Sequence, residues 1–511
     1  MTDFLPSAKG QDTQLLATAS EIDHTIDGAQ RKSLAHPSRA AANQCCGRKA
    51  PNRAAFFLLA GVIALAPFPY GSVDLAAIAF WCIVLGVGLV VASSSLIGRA
   101  HLFFILGIGL LVLGYGFVVH EQLSAEPFFA KPNPVWGEAA KLLGTPLVPL
   151  GSAVRNQPYY ALGAPLANVL ALLLGFLVGT ERDNARRLFR VFAWAGAGYA
   201  VYAICAFVLD PTTVLWREKL SHTASLTGTF WNRNTAAVFF GSCSVVWLLF
   251  LCQTVQRRLP DGLLDWRSAS HAMFSHLPRS AVVAYVALSL CTVAMFMTDS
   301  RAGVLISLAA LVLAFVLFFR PRLTGRNRTI VALLAATAVA LAMFQILGGG
   351  VRARLEMQGL SDSGRIETYR SALRMIADYP WFGTGLGTFA WSYPEFRSGE
   401  ISVRGVWDRA HSTPLELAVE LGLPLTGLIV CGWLVILIVL VRAILARQSA
   451  SVVPIAAFCL ALVGLVHSLV DYSLQIPGFS LPILALIGAG VARGLSRREI
   501  GQIDKHYNAP P

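Results

Sequence analysis

Long apolar runs separated by short polar links organise this chain. Runs of roughly 17 to 25 residues, the length that crosses a hydrocarbon core of about 30 Å, begin near Ala54, Val73, His101, Tyr159, Leu188, Asn234, Ser280, Gly303, Thr329, Leu423, Ser451 and Phe479. The pattern predicts an all-α polytopic membrane protein with about twelve transmembrane helices over residues 54–493. Residues 1–53 are polar, Ala/Ser/Gln-rich and without periodicity, and read as a disordered cytoplasmic arm. Residues 494–511 read as a cytoplasmic tail. Because the first apolar run lies far from residue 1, span one is expected to act as the targeting signal in place of a cleaved leader.

One polar insert, residues 348–421, interrupts the pattern between two spans. It carries SDSGRIETYRSALRMIADYPWFGTGLGTFAWSYPEF and then DRAHSTPLELAVELG, which ends at Gly422. Two shorter segments, 120–157 and 210–233, are also substantial.

A chain that is 55% hydrophobic and 14% charged, with a mean hydropathy of +0.61, needs lipid as its solvent. Lysine and arginine then set orientation, since they stay on the cytoplasmic side. Lys9, Arg31, Lys32, Arg39, Arg48, Lys49 and Arg53 precede span one, and basic links recur at Glu181, Gln256, Arg320, Arg442, Arg447 and Arg493. Both termini come out cytoplasmic and the three polar segments on the outer face of a multi-pass membrane protein. The net charge of +13 follows from this bias and attracts anionic membrane lipids, so no nucleic-acid partner is implied.

Seven of the nine cysteines (Cys82, Cys205, Cys243, Cys252, Cys291, Cys431 and Cys459) fall in or at the ends of spans and behave as small hydrophobes. Cys45 and Cys46 lie in the arm, and no CxxC spacing occurs. The links Tyr70–Asp74 and 120–157 lack clustered carboxylates. No metal and no cofactor are expected.

The long insert runs against the positive-inside trend: Arg352, Arg354, Arg365, Arg370, Arg374, Arg397, Arg404 and Arg409 lie between Gly348 and His411, with no lysine. Arginine offers a rigid bidentate fork that suits a diphosphate. Acidic neighbours account for some of these: on a helix Glu367 reaches Arg370 and Arg374 reaches Asp378. Arg365 differs. With Asp362 or Ser363 as N-cap, Ile366, Tyr369, Leu373 and Ile376 at helical spacing and Pro380 as terminator, it is a cation in a first helical turn, best explained by an anion bound across that terminus. In TDSRAG, a tight hairpin holds Arg301 at the outer face, as a snorkelling residue, as a local pair with Asp299 or as an anion ligand.

His411 precedes a helix start read as Thr413 N-cap, Pro414 first position and Glu416 closing a capping box. The positive end of that helix favours a neutral imidazole, the form a general base needs. In GTFWNRNTAA, Asn234 either caps the following span or contacts substrate, and Arg233 and Trp231 are either interface anchors or part of the site. His467 and Asp471 lie four apart and read as a structural pair or a second acid/base site.

With those residues in hand, the chain resembles the bacterial O-antigen ligase and O-antigen polymerase superfamily over roughly Thr223 to Val491. SRAG, GRIETYRSALRMIADYPWFGTGLGTF and RAHSTPLELAVELG carry the resemblance, with GTFWNRNTAA and HSLVDYSLQIP in the same pattern. It implies a C-type glycosyltransferase-like membrane fold with a long periplasmic loop. The implied reaction is metal-independent, inverting transfer of a glycan from undecaprenyl diphosphate to an acceptor hydroxyl on a glycan or lipid. Arg301 and Arg365 match the family's diphosphate-binding arginines and His411 its catalytic histidine. Ligases follow the histidine with Gly-x-x-Gly; here Gly422 is present but Leu425 holds the second place, which weighs towards a polymerase of O-antigen or exopolysaccharide.

In that scheme the arginines stabilise charge on the leaving group, and His411 takes the acceptor's proton. Arg370 and Asp471 are further candidates for substrate contact, while Trp381, Phe382, Trp391 and Tyr393 could stack on sugars or anchor the loop at the interface. Two other classes compete: an anion or solute transporter, disfavoured by the lack of an internal repeat or of matched broken helices, and a structural partner in an envelope assembly.

Overall fold

Backbone that enters lipid must satisfy its own hydrogen bonds, so each apolar run folds as a helix. In the computed structural model nine helices among the described residues are long and apolar enough to cross a membrane: Arg99–Leu123, Gln157–Gly179, Arg182–Leu209, Arg233–Gln256, Arg279–Phe296, Arg301–Arg322, Arg326–Leu347, Thr413–Leu445 and Pro477–Ser496. Asn52–Leu65, Leu75–Val91 and Val452–Ser468 are shorter apolar helices. The structure describes residues 39–93, 97–258, 278–323, 325–359, 363–399, 407–446 and 451–507, without the side chains of 39–51, 358 and 497–507. The arm 1–38, the alternative N-cap Asp362, Glu400, Arg404, Arg447 and most of the link after Gln256 lie outside them. The described fold is almost wholly helical; its strands are a two-residue hairpin, Thr213–Val214 with Arg217–Glu218, paired antiparallel with Val214 opposite Arg217.

Residues 54–511 form a unit with its own core. Helix Arg233–Gln256 is central, with 83% of its apolar window buried, whereas only 6% of that of Arg326–Leu347 is, which leaves that helix at the periphery. The central helix packs on Arg279–Phe296, Arg301–Phe319 and Val452–Ser468. Between membrane helices, where lipid competes for every apolar contact, small residues permit the close approach that drives packing. Gly241 lies against Ser307 and Gly303 against Ala237, with no room for a Cβ at either glycine. These contacts draw together the N-termini of helices Arg233–Gln256 and Arg301–Phe319.

The polar insert folds as helices Gly349–Gln358, Ser363–Asp378 and Phe389–Phe396 and then runs into Thr413–Leu445. That last helix is broken at Gly422 (φ 80°, ψ 166°), where the backbone packs against Trp381 and Phe382 and the Leu423 amide donates to Pro380 O at 2.8 Å. Gln122 ties the same turn to segment 120–157, donating to Phe382 O (2.6 Å) and Glu420 O (2.7 Å) and accepting from the Leu386 amide (2.9 Å).

Four local expectations are corrected. The N-cap of Thr413–Leu445 is Ser412, which makes no side-chain cap bond, and Pro414 follows one position inside the helix. Glu416 does not close a capping box on Thr413; buried, it accepts from the Ala410 amide (2.8 Å) and Arg409 Nη1 (2.9 Å), bracing the turn that holds His411. Helix Ser363–Asp378 buries Thr368, Ser371, Ala372, Met375 and Ile376, leaving Ile366 and Leu373 exposed; Ala372, Met375 and Ile376 share an apolar cluster with Phe389, Tyr393, Ala418 and Val419. Arg374 bonds Ser371 Oγ (3.2 Å) and Phe396 O (2.8 Å), not Asp378.

Candidate active site

Two capping residues start the site. Asn232 accepts from the Asn234 amide at 2.8 Å and caps helix Arg233–Gln256; Ser300 accepts from the Gly303 amide at 3.3 Å and caps Arg301–Phe319. The cap of the first helix is therefore Asn232, which frees the Asn234 side chain. Because the glycine contacts hold the two termini together, Ser300 Oγ donates to Asn234 Oδ1 at 2.8 Å, and Asn234 Nδ2 donates onward to Asp471 Oδ2.

Asp471, only 1% exposed, collects the rest. Its carboxylate accepts from its neighbour's amide at Tyr472 (2.8 Å), from Asn232 Nδ2 (3.4 Å) and from Arg365 Nη2 (3.5 Å), while Arg365 Nη1 donates to Val470 O at 2.5 Å. His411 Nδ1 lies 3.9 Å from Asp471 Oδ1, within ion-pair range but too long for a hydrogen bond. Burial alone would raise the Asp471 carboxyl; the imidazole of His411 and the positive fields of His467 and Arg365 outweigh it and hold the group well below the usual carboxylate range.

The local field is positive. Arg233 stands within electrostatic reach of Arg354, Arg301 and Arg365, with Asp299 as its nearby anion. Arg354 Nη1 donates to Asp299 O (3.0 Å), and Arg233 Nη1 and Asp299 Oδ2 share Ser225 Oγ at 3.1 and 3.2 Å. Burial raises the Asp299 carboxyl despite those partners. In the adjoining loop His222 is pushed down to about 4, first by burial and then by Arg233 and Arg354. Four guanidinium groups thus face two carboxylates, and Arg233 Nε is buried without a hydrogen-bond partner. Such an excess suits an anionic ligand.

Arg301 opens its helix and donates to Gly359 O, which ties the hairpin to the end of helix Gly349–Gln358; its side chain is not in an ion pair with Asp299. His411 takes a left-handed backbone (φ 53°), its carbonyl accepts from Tyr369 OH at 2.9 Å, and its ring lies 5.3 Å from Tyr472 and 5.9 Å from Trp407. The ring is about a quarter exposed, with Nδ1 buried beside Asp471. Arg370 pairs with Glu367 on the surface.

Trp381 and Trp391 are exposed. Tyr393 is not available to a sugar: it is 1% exposed, stacked on Phe389 with centroids 5.2 Å apart, and its hydroxyl lies 3.3 Å from Thr368 Oγ1. His467 and Asp471 are not a hydrogen-bonded pair; His467 Nδ1 is 3.0 Å from Ser473 Oγ. Among the described residues no three His, Cys, Asp or Glu side chains gather as metal ligands.

Sequence reasoning missed Asn232 and Ser300, and named Asp299 and Arg354 without singling them out for the site. The Asn-x-Asn spacing before a span was a usable signal for the first, since two amides two residues apart at a helix start can cap and reach out at once. Nothing in the chain pattern marks Arg354 among its neighbours.

Residues 286–430 match the O-antigen ligase family model. No curated protein matches the chain. The matched stretch carries Arg301, Arg365 and His411, whereas Asn234 and Asp471, which the fold brings to them, lie outside it. Over residues 286–430 the chain is thus similar to the O-antigen ligase family, a likeness that supports glycan transfer in general, and nine helices among its described residues are long and apolar enough to cross a membrane.

Proposed function

We propose that this protein moves a glycan from undecaprenyl diphosphate to an acceptor hydroxyl, by a metal-independent inverting reaction on the periplasmic face of the inner membrane, in polymerisation or ligation of O-antigen or exopolysaccharide. All twelve apolar helices cross the membrane in this reading; the 17-residue ones reach about 26 Å at 1.5 Å per residue, and the shorter apolar stretch Asn52–Leu65 ends a 27-residue helix, Arg39–Leu65. The observation that carries it is the linkage of Arg365, Asn234 and His411 to one buried carboxylate, Asp471, beside Arg301 and Arg233.

Arg301 and Arg365 bind the diphosphate and stabilise the charge that grows on it as the anomeric bond breaks. Their anchors on Gly359 O and Val470 O fix the forks before the donor arrives. Asp471 keeps Nδ1 of His411 engaged electrostatically, so Nε2 is the nitrogen left to take the acceptor proton as the acceptor oxygen attacks from the opposite face. Arg233 and Asn234 border the donor's diphosphate and first sugar. Trp381 and Trp391 serve as interfacial anchors or outer sugar contacts.

The test is transfer of a defined undecaprenyl-diphosphate glycan by purified protein. His411→Ala should lower turnover by about 10²- to 10⁴-fold, the usual size of a general-base contribution, while donor binding persists and a chelator changes nothing. Near-normal turnover in the alanine variant, or turnover that a chelator abolishes, would overturn the scheme. The glycan ladder of a deletion strain separates polymerase from ligase: loss of long chains marks the former, loss of all acceptor modification the latter.

A further inference from the structure

Beside the arginine site lies a cluster that the proposed chemistry leaves unused. The Tyr70 ring is stacked on Trp231 (centroids 5.2 Å, planes 12° apart), and Trp216 meets it edge-on (5.3 Å, 79°), so the two indoles stand near a right angle around it. Arg217 lies over the Tyr70 ring at 4.2 Å and pairs with Asp74 at 3.7 Å. Trp216 is 70% exposed on the tip of the two-residue hairpin, Trp231 is half-buried, and the buried Tyr70 hydroxyl has no hydrogen-bond partner.

The corner is rigidly placed. Tyr70, Ser72 and Leu215 all hold left-handed backbones (φ 54°, 55° and 53°), a conformation that side-chain-bearing residues keep only where surroundings impose it. The Leu215 amide donates to Tyr202 OH (3.2 Å), and Thr229 Oγ1 donates to Pro67 O (2.6 Å), tying both loops together. Trp231 directly precedes Asn232, which bonds Asp471, and Gly71 packs against Phe230, Ile476 and Gly478 just after Tyr472. The corner therefore opens one residue away from the Asp471 cluster.

The aromatic corner carries a half-exposed carboxylate and guanidinium, Asp74 and Arg217, at its rim. It is a good match for a pyranose. The C–H face of such a ring is apolar and lies flat on an electron-rich indole. Its hydroxyl rim meets the carboxylate and guanidinium alongside, as in sites where a few polar groups orient a ligand on an aromatic floor.

We infer that Trp216 and Trp231, around Tyr70 and with Asp74 and Arg217 at the rim, form a glycan-binding subsite that holds a sugar of the donor or acceptor chain next to the reacting centre. This rests on the glycan-transfer reading above.

The test uses the full chain in lipid nanodiscs. The probe is the oligosaccharide released by mild acid from the lipid-diphosphate pool of a strain lacking this protein, with binding read by saturation-transfer NMR. Trp216→Ala and Trp216→Leu should each weaken binding by about tenfold, and Trp216→Phe should restore most of it, since stacking needs a π face and not only bulk. In transfer assays the same variants should raise KM with kcat little changed; a rise for the lipid-linked donor or for the glycan acceptor tells which chain occupies the corner.

Wild-type protein that fails to bind the oligosaccharide, or unchanged affinity in Trp216→Ala, would overturn the subsite. Full recovery in Trp216→Leu would make Trp216 a membrane anchor. Trp216-dependent binding in a protein whose His411→Ala variant transfers normally would leave the subsite standing and sink the catalytic scheme.

Discussion

Asp471 is the residue on which the site turns. A buried carboxylate is tolerated only when paired and hydrogen-bonded, and this one answers to Asn232, Asn234, Arg365, the Tyr472 amide and His411. Its depressed value means that its contribution is present above the ordinary carboxylate pKa of about 3.9 and is lost as pH falls through the folded value. Asp471→Asn should therefore lower the melting temperature in detergent at pH 7, with the gap to wild type narrowing below about pH 4. A gap that stays constant would show that the carboxylate's charge contributes little. For the guanidinium groups, Arg365→Lys and Arg301→Lys should each lose most transfer at normal protein level, because one ammonium cannot hold a backbone carbonyl and a diphosphate in a planar fork. Arg370→Lys should be nearly silent, since an exposed pair such as Arg370 with Glu367 is worth at most about 1 kcal/mol. Equal losses in all three would point to a general need for the guanidinium shape, since each variant keeps its charge, and would remove the distinction between diphosphate ligand and surface pair. At this scale residue types were legible: arginines without lysines, and a lone histidine before a helix. Their partner was not, because Arg365 and Asp471 are 106 residues apart and no local spacing reports such a contact.

Among the elements, the long helices could be read from run length alone, because lipid leaves the backbone no other choice. Their ends could not. Ser412 replaced Thr413 as N-cap and Glu416 turned back to Arg409 and Ala410, since the side chain found a buried donor set that a capping box does not offer. Gly422 stood out in the sequence only as the close of a motif, yet structurally it breaks helix Thr413–Leu445 with φ 80°, a value only glycine adopts without strain when ψ is 166°. An added Cβ would also strike the Trp381 carbonyl. Gly422→Ala should cost about 1 to 3 kcal/mol or more and loosen the Gln122 and Leu423 bonds that seat the Trp381–Gly387 turn. Thermal unfolding in detergent and the yield of monodisperse protein measure this. An alanine variant as stable as wild type would show that the break does not depend on glycine. The effect should appear in stability before chemistry, because among the described residues no hydrogen bond joins Gly422 to Asp471 or to the arginine cluster.

For the whole molecule, hydrogen bonds sort the links into two sets. Thr229 with Pro67, Ser225 and Arg354 with Asp299, Arg365 with Val470, Tyr369 with His411, and Ala153 with Thr384 join the loops at the site end. Arg493 with Thr180 and His101 with Ser496 join links at the other. That second end carries Arg182, Arg186, Arg187, Arg190, Arg257, Arg258, Arg320, Arg322, Arg326 and Arg328, so the positive-inside rule assigns it to the cytoplasm. The arginines at the site end do not contradict the rule, since several are held by Asp299, Asp471, Glu367, Glu416 or backbone carbonyls, and the remaining positive field is what an anionic donor requires. The proposed sidedness of the reaction rests on this one assignment. Alkaline phosphatase fused after Gly399 should be active and a fluorescent protein there dark, while fusions after Arg258 and Arg322 should give the reverse. A fluorescent fusion after Gly399 would put the arginine cluster on the cytoplasmic face, away from any periplasmic acceptor, and the transfer scheme would then have to be abandoned even if every residue in it proved essential.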